Sequence, residues 1–377
     1  MQDKPKSTDN PLQEFENLFA QVKAELNFLR LPYFATRKDA QQGFLELIET
    51  VERDGVKRRI EWRVVPDPRL GLPGAIERNV MFIIFKRADE ARPGLNAPIP
   101  EWIDIGSIYG ICVELGLESN GQNRVRIKQA LRKLGSTNCI SMGAFYDKAN
   151  KKYVESSDVF TFLQSWRLKG ELHNRVIWET NAVSIHPWVR QNLDAFYVKA
   201  LDWSLLRSLE SEIAALLYPH LSCVFHGLKK DQEHIELGYN WLAQRLGISI
   251  CKDLREAKKQ LKPAHTELIA KGYLSNVKWV NDKIKYFPGL RASVEIAHQK
   301  KRKRTASSKS PHFFKQLVIP TLEPLKQEVD ERATEIARQA ARLQLGKPLK
   351  PDRLLELNID VQEIHEYIGK LGNASNT

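Results

Sequence analysis

Basic and amide side chains are concentrated in the segment GQNRVRIKQALRKLGST, from Gly121 to Thr137. Apolar residues recur in it at steps of three and four, which predicts a helix with one inner face. The outward residues suit DNA, because Arg pairs with guanine, Asn and Gln pair with adenine, and Lys and Arg neutralise phosphates. The predicted DNA-binding residues here are Gln122, Asn123, Arg124, Arg126, Lys128, Arg132 and Lys133, with Gln129 on the same side. A unit that only dimerises is the alternative.

A second cationic helix is predicted in LREAKKQLKPAHTELIAKG, where Leu254, Ala257 and Leu261 mark an inner face. We expect Pro263 to bend or break it, because proline lacks the amide hydrogen and clashes with the preceding turn. The groove-reading part would then precede Pro263. The predicted DNA-binding residues of this group are Lys252, Arg255, Lys259 and Lys262 in or beside the helix, and Lys278, Lys283 and Lys285 in the hairpin that follows. A helix face that only contacts water can have the same composition, so the choice between a DNA-binding face and a solvated face depends on the neighbouring elements.

Each cationic helix follows another predicted helix and a short turn, which is the outline of a helix-turn-helix. The breaker ESNG precedes the first cationic helix, and the turn at Gly247–Ser249 precedes the second. Strand-like runs joined by a polar turn come next: CISMGAFYD and YVESSDVFTFLQSWRLKG after the first helix, YLSNVKW and KIKYFP after the second. A winged helix inserts its second helix into the major groove and sets its hairpin, the wing, on neighbouring backbone or minor groove. The repeated order predicts two such units.

We predict an α+β fold with tandem winged-helix domains and a helical C-terminal tail, since 377 residues exceed what one hydrophobic core usually serves. The predicted boundaries are 1–30 for an N-terminal arm and helix, 31–190 for the first winged-helix domain, 191–290 for the second, and 291–377 for a basic linker and helical tail. The run KKRKR at Lys300–Arg304 either contacts phosphates or is a solvated linker.

Three other segments carry local predictions. An amphipathic helix is expected from about Leu12 to Leu29, because apolar residues recur there at helical spacing. The runs IEWRVVP and NVMFIIFKR are expected to be strands that build a sheet edge. Residues 193–220 are expected to be helical, with leucines spaced for burial.

The overall charge favours a polyanionic partner. Lys and Arg number 58 against 46 Asp and Glu, which gives a formal net charge of +12. Nucleic acid is the leading candidate, although a basic charge that only keeps the protein dissolved is the alternative. The four cysteines lie far apart, so neither a metal knuckle nor a disulfide framework is indicated. With no apolar signal core and no membrane span in the sequence, we expect a cytoplasmic protein.

Motifs of catalysis are missing from the sequence. No GxxxxGK[ST] phosphate loop, HExxH zinc motif or Gly-rich dinucleotide fingerprint occurs. His220 and His226 are too far apart for the paired metal-binding histidines of a nicking endonuclease. We therefore expect no enzymatic activity, no metal and no cofactor.

Three blocks in order carry a family resemblance: IEWRVVPDPRLGLPG with NVMFIIFKR, then GQNRVRIKQALRKLGST, then LREAKKQLKPAHTELIAKGYLSNVKW. Over about residues 30–290 the chain resembles plasmid replication initiators of the RepA and TrfA kind, which contain two winged-helix domains. The resemblance implies binding to direct repeats in double-stranded origin DNA, opening of an AT-rich segment, and recruitment of the host initiator and replicative helicase. It also implies a switch between homodimer and monomer.

Two alternatives of other classes remain open at this point. The first is a winged-helix transcriptional regulator that binds a palindromic operator, with the N-terminal unit serving dimerisation. The second is a scaffold whose winged helices contact proteins. A regulator would cover a single palindrome near a promoter, an initiator would cover an array of direct repeats, and a scaffold would lack salt-dependent DNA binding.

Overall fold

The computed structural model describes residues 21–297, apart from 41, 54, 95–96, 156, 174–175 and 230–231. The predicted N-terminal arm, the KKRKR run and the predicted helical tail lie outside the described residues. Both winged-helix units treated below contribute to one continuous hydrophobic core.

In chain order the first part forms β1 (Gln21–Glu25), α1 (Leu26–Arg30), β2 (Leu45–Arg53), β3 (Val56–Val65), α2 (Ala75–Glu90), β4 (Ile103–Asp104), α3 (Ile108–Glu114), α4 (Gly121–Ser136), β5 (Asn138–Met142), β6 (Tyr146–Asp147), β7 (Lys152–Tyr153) and β8 (Asp158–Thr161). The second part forms β9 (Leu163–Arg167), β10 (Leu172–His173), β11 (Val176–Ile177), β12 (Ala182–Ile185), α5 (Pro187–Asp194), β13 (Val198–Asp202), α6 (Trp203–Ser208), α7 (Glu212–Phe225), β14 (Ile235–Gly238), α8 (Tyr239–Leu246), α9 (Leu254–Ala270), β15 (Leu274–Val280) and β16 (Lys283–Pro288).

The first winged-helix unit is built from α2, β4, α3, α4 and the hairpin of β9 and β12. These strands form an antiparallel sheet in the order β4, β12, β9. The two-stranded extension of β10 and β11 lies between β9 and β12 in the chain. The predicted helix-turn-helix is confirmed in α3 and α4, which are joined by a short turn.

The predicted position of the first wing was only partly right. The run CISMGAFYD and the first half of YVESSDVFTFLQSWRLKG contain β5 and β8, and these strands continue a four-stranded sheet in the order β2, β3, β5, β8. The second half of the latter run contains β9, which pairs with β12. Buried Cys139 and Phe160 are register partners in that sheet, and Phe160 packs edge-on against buried Trp62 of β3. Because β3 comes from a distant part of the chain, this pairing is invisible to local turn signals. The wing is the later hairpin of β9 and β12.

The run NVMFIIFKR was predicted as a strand and forms most of α2 instead. Glu77 accepts a hydrogen bond from the backbone N–H of Gly74 at 2.7 Å and so caps the start of the helix. The residues from Val80 to Phe85 are all buried, so the helix is enclosed on every side. A continuous apolar run fits a buried helix as well as a buried strand, and periodicity alone does not separate them.

Two predicted helical segments contain a strand. Gln21–Glu25 and Val198–Asp202, inside the predicted helices 12–29 and 193–220, form the antiparallel pair β1 and β13. Val22, Ala24 and Leu201 are buried, as the alternation of a strand requires. Residues 12–20 of the first prediction lie outside the described residues. A partner far away in the chain overrides the local helical pattern here.

The second winged-helix unit follows its predicted layout from β14 to β16. Its antiparallel sheet has the order β14, β16, β15, and α8 and α9 form the helix-turn-helix. Asn281, with φ of 55°, lies in the predicted turn between β15 and β16. Of the predicted bend or break at Pro263, the break was wrong, because α9 continues to Ala270. The hydrogen bond that proline removes ends on the carbonyl of Lys259, and both residues are exposed, so water can satisfy that carbonyl.

Candidate nucleic-acid interface

Helix α9 presents a cationic face. Asp253 accepts a hydrogen bond from the N–H of Glu256 at 2.8 Å and begins the helix. Ala257, Leu261, Ala264 and Leu268 are buried against the unit. The predicted residues Arg255, Lys259 and Lys262 are exposed on the opposite face, and Lys252, which is also exposed, immediately precedes the N-cap Asp253. Within the described part of the chain, none of the four forms an ion pair, so their charges are available to phosphates.

Lys258 belongs to this face and was not singled out from the sequence. It is exposed, and its ammonium lies 5.7 Å from the ring centroid of Trp279 on β15. It precedes Lys262 by one helical turn, which is a spacing that places two side chains on the same side of a helix. That signal was present in the sequence.

The three hairpin lysines lie on the other side of the sheet from α9. Trp279 and Tyr286 face the helix, since the Nε2 atom of His265 lies 3.0 Å from the hydroxyl of Tyr286. Their strand neighbours Lys278 and Lys285 therefore point away from it, because successive side chains alternate. Lys283 and Lys285 also lie 2.9 and 3.8 Å from the carboxylate of Glu236. The structure does not bring these lysines together with the cationic face of α9.

Helix α4 presents the predicted mixture of cations and amides. Asn120 accepts from the N–H of Asn123 at 2.8 Å and caps the helix. The side of α4 with Ile127, Ala130, Leu131 and Leu134 is buried. Predicted residues that are exposed on the other side are Gln122, Arg124, Arg126 and Arg132, together with Gln129. These are the side-chain types that read base edges in a major groove.

The remaining residues predicted on α4, Asn123, Lys128 and Lys133, are only partly exposed. The Nδ2 atom of Asn123 donates to the carbonyl of Glu118 at 2.9 Å, and its Oδ1 accepts from Arg126 at 3.1 Å. Asn123 therefore holds the turn before the helix. Lys128 is half-buried. The ammonium of Lys133 lies 3.6 Å from Glu77 and donates to the carbonyl of Leu72 at 3.3 Å, so this cation is directed at its own unit.

Neighbouring residues Arg132 and Lys133 give a matched test of the proposed surface. We expect Arg132→Ala to lower DNA affinity about tenfold, because an exposed charge-assisted contact is lost. Lys133→Ala should change affinity less than about twofold while lowering the free energy of unfolding by about 1 kcal/mol, because its buried partner Glu77 is left behind. Fluorescence anisotropy and urea unfolding measure the two quantities. A larger loss of affinity in Lys133→Ala would contradict the assignment.

Apolar residues on the first helix-turn-helix were missed from the sequence. Tyr109 and Val113 of α3 are 56% and 54% exposed, and Val125 of α4 is 52% exposed. The guanidinium of Arg124 lies 6.0 Å from the ring centroid of Tyr109. An apolar side chain on a recognition helix suits the methyl group of thymine. Val125 was detectable as an apolar residue outside the inner stripe.

The base of the first wing is fixed by a stacked arginine. The guanidinium of Arg167, at the end of β9, lies 3.3 Å from the ring centroid of Trp102 and 3.7 Å from that of Trp178. These two cation–π contacts join the end of β9 to the residue before β4 and to the residue after β11.

Two buried histidines make stability depend on pH. Burial lowers the pKa of His265 to about 4 and that of His220 to about 3. Both are neutral in the folded protein, whereas the unfolded chain binds protons below about pH 6.5. Their contribution to stability is complete above that pH and is lost as pH falls toward the folded values. Burial also raises the pKa of Glu25 to about 7, which acts in the opposite sense.

We expect His265→Gln to remove the part of the low-pH fall in unfolding free energy that His265 causes. From pH 7 to pH 5, one such histidine costs about 2 kcal/mol. Between pH 7 and pH 5 the unfolding free energy should therefore fall by about 2 kcal/mol less in the variant than in the wild type. Glu25 contributes equally to both proteins. Urea unfolding at the two pH values measures it. Identical pH dependence in the two proteins would contradict the assignment.

No cluster of three His, Cys, Asp or Glu side chains that could hold a metal ion occurs in the described part of the chain. No helix within residues 21–297, as far as they are described, is long and apolar enough to cross a membrane.

Comparison with known proteins gives no match in sequence: no family model and no curated protein matches the chain. Among solved structures, the chain is similar to two crystal structures of domains 2 and 3 of RctB. One, a selenomethionine derivative, has 12% identity and a TM-score of 0.43, with 68% of this chain and 94% of that chain covered. The other has 12% identity and a TM-score of 0.40, with coverage of 70% and 97%. A TM-score below 0.5 does not establish a common function.

Proposed function

We propose that the protein is a sequence-specific double-stranded DNA-binding protein that uses both helix-turn-helix units. The observation that carries this proposal is the exposed cationic face of α9, free of ion pairs with the described residues, in a unit with the strand and helix order of a winged helix. Phosphates bind such a face by counterion release, and a helix of this type fits the major groove. The exposed amides and arginines of α4 supply a second surface of the same kind.

Within that class, the protein acts as a plasmid-type replication initiator. The ordered sequence blocks that resemble this family support the assignment. The expected partners are direct repeats in origin DNA, the host initiator and the replicative helicase, together with a homodimer that gives way to monomers on DNA. The protein works in the bacterial cytoplasm on nucleoid or plasmid DNA and needs neither catalysis nor a cofactor.

A footprint on DNA flanking the gene tests the assignment. Protection of an array of direct repeats supports an initiator, and protection of a single palindrome near a promoter identifies a transcriptional regulator instead. Deleting the gene from a plasmid that carries the protected array should abolish replication of that plasmid, while a second plasmid with an unrelated origin is maintained. Unchanged replication of the first plasmid would contradict the initiator role.

A further inference from the structure

The turn that sets the direction of α9 is attached to the N-terminal segment of the chain. Asp39, which is 2% exposed, accepts a hydrogen bond from the backbone N–H of Ser249 at 3.0 Å and another from the Ser249 hydroxyl. Gln42 donates to both Asp39 and Ser249 at 3.0 Å. In the described part of the chain Asp39 has no cationic partner. Its carboxylate is therefore compensated by hydrogen bonds alone, and two of these come from this turn.

The same turn is held on its other side by α9 itself. The side chain of Gln260 donates to the carbonyl of Ser249 at 3.0 Å. Its Oε1 atom accepts from the hydroxyl of Tyr239 at 2.8 Å, and that hydroxyl accepts from the N–H of Cys251 at 2.8 Å. Ser249 thus connects Asp39, through its N–H, to Gln260 of the recognition helix, through its carbonyl.

Two further contacts join α8 to the same N-terminal segment. Gly247, with φ of 66°, lies so close to this segment that an added Cβ would be 3.0 Å from the carbonyl oxygen of Phe34. Arg245 forms an ion pair with Glu49 of β2, and both side chains are mostly buried. The second helix-turn-helix is therefore docked on the chain around β2.

That segment leads directly to the other recognition helix. Strand β2 pairs with β3 over its whole length, and β3 pairs with β5. Strand β5 begins at Asn138, two residues after α4 ends. A hydrogen-bonded sheet thus lies between α4 and the turn before α9, and sheets of this kind transmit position because their register is fixed.

We propose that Asp39 is a positioning residue that fixes α9 relative to α4, so that the protein accepts only one spacing between its two contacted DNA segments. This inference rests on the proposed function. The exposed faces of α4 and α9 belong to one body. A bound duplex must therefore present the two contacted segments in positions that match both helices at once. Removing Asp39 deletes the two hydrogen bonds by which its carboxylate holds Ser249, while leaving every proposed DNA-contacting residue in place.

The test inserts about 5 bp, half a turn of B-DNA, between the two segments that footprinting assigns to α4 and α9. We expect the insertion to lower wild-type affinity at least about tenfold, and to change the affinity of Asp39→Ala less than about threefold. Asp39→Asn keeps an acceptor for the Ser249 N–H and should show the wild-type penalty. Asp67→Ala, which removes a half-buried carboxylate bonded to Arg69, is the matched control and should also show it.

Ser249→Ala gives a second measurement, since it deletes the hydroxyl donor and keeps the backbone; it should reduce the penalty to an intermediate value. If Asp39→Ala does not fold, Ser249→Ala decides. A full wild-type penalty in folded Asp39→Ala and Ser249→Ala overturns the inference, and so does a wild-type protein that is indifferent to the insertion. Loss of the proposed function looks different: the wild type then shows no sequence-specific DNA binding at all.

Discussion

Replacing Arg255 and Lys259 together by alanine is expected to lower the affinity for duplex DNA about 100-fold at about 0.1 M salt. Both side chains are exposed on the cationic face of α9 and are free of ion pairs with described residues. A charge-assisted hydrogen bond contributes about 1.5 kcal/mol, or about tenfold in affinity, and two such contacts are lost. The folded state should persist, because neither side chain is buried.

Salt titration separates a lost phosphate contact from a general fall in charge. The slope of log affinity against log salt should become less steep by about 1.8, which corresponds to two phosphates at about 0.9 each. Lys57→Ala with Arg59→Ala removes the same charge from exposed positions on β3 and should keep nearly the wild-type slope and affinity. An equal loss in this control variant would show that net charge, and not α9, governs binding.

Replacing Arg126 and Arg132 together by alanine should act on sequence discrimination. Both are exposed on α4, and an arginine paired with guanine contributes about 1–3 kcal/mol of discrimination. We expect the affinity for the footprinted site to fall roughly 10- to 100-fold, with a much smaller fall for unrelated duplex DNA. Competition binding with the two duplexes measures the ratio.

The same variant distinguishes DNA reading from dimerisation by the first unit. If α4 serves only an interface between two copies, the double variant should retain its specificity ratio and change its sedimentation behaviour instead. Unchanged specificity would remove α4 from the DNA-reading surface. Matched Gln129→Ala, on the same side of the helix but uncharged, should lower specificity without changing the salt slope.

Local sequence signals were sufficient for the second unit. Gly247 marks the end of α8 by its left-handed conformation, and Asn281 lies in the hairpin turn with positive φ. The buried stripe of α9 was readable from residues spaced at three and four. All of these features are set within a few residues of the chain.

Contacts between distant parts of the chain explain the predictions that were wrong and the features that were missed. The strand β1 is formed because β13 pairs with it, and the first wing lies later than predicted because β5 pairs with β3. The orientation of the hairpin lysines was also hidden, since it depends on which sheet face meets His265. The Asp39 contact with Ser249 joins residues whose separation of 210 positions leaves no local signal.

The most direct test places both recognition helices on one duplex. An iron chelate that cleaves nearby DNA is attached at Gln129→Cys on α4 or at Lys262→Cys on α9, with half-buried Cys251 changed to Ser. Each attachment should cut one discrete place, and the two places should lie in separate major grooves of the same footprinted site. Cleavage from only one helix, or cleavage spread evenly along the duplex from either, would contradict the proposal that both units read DNA.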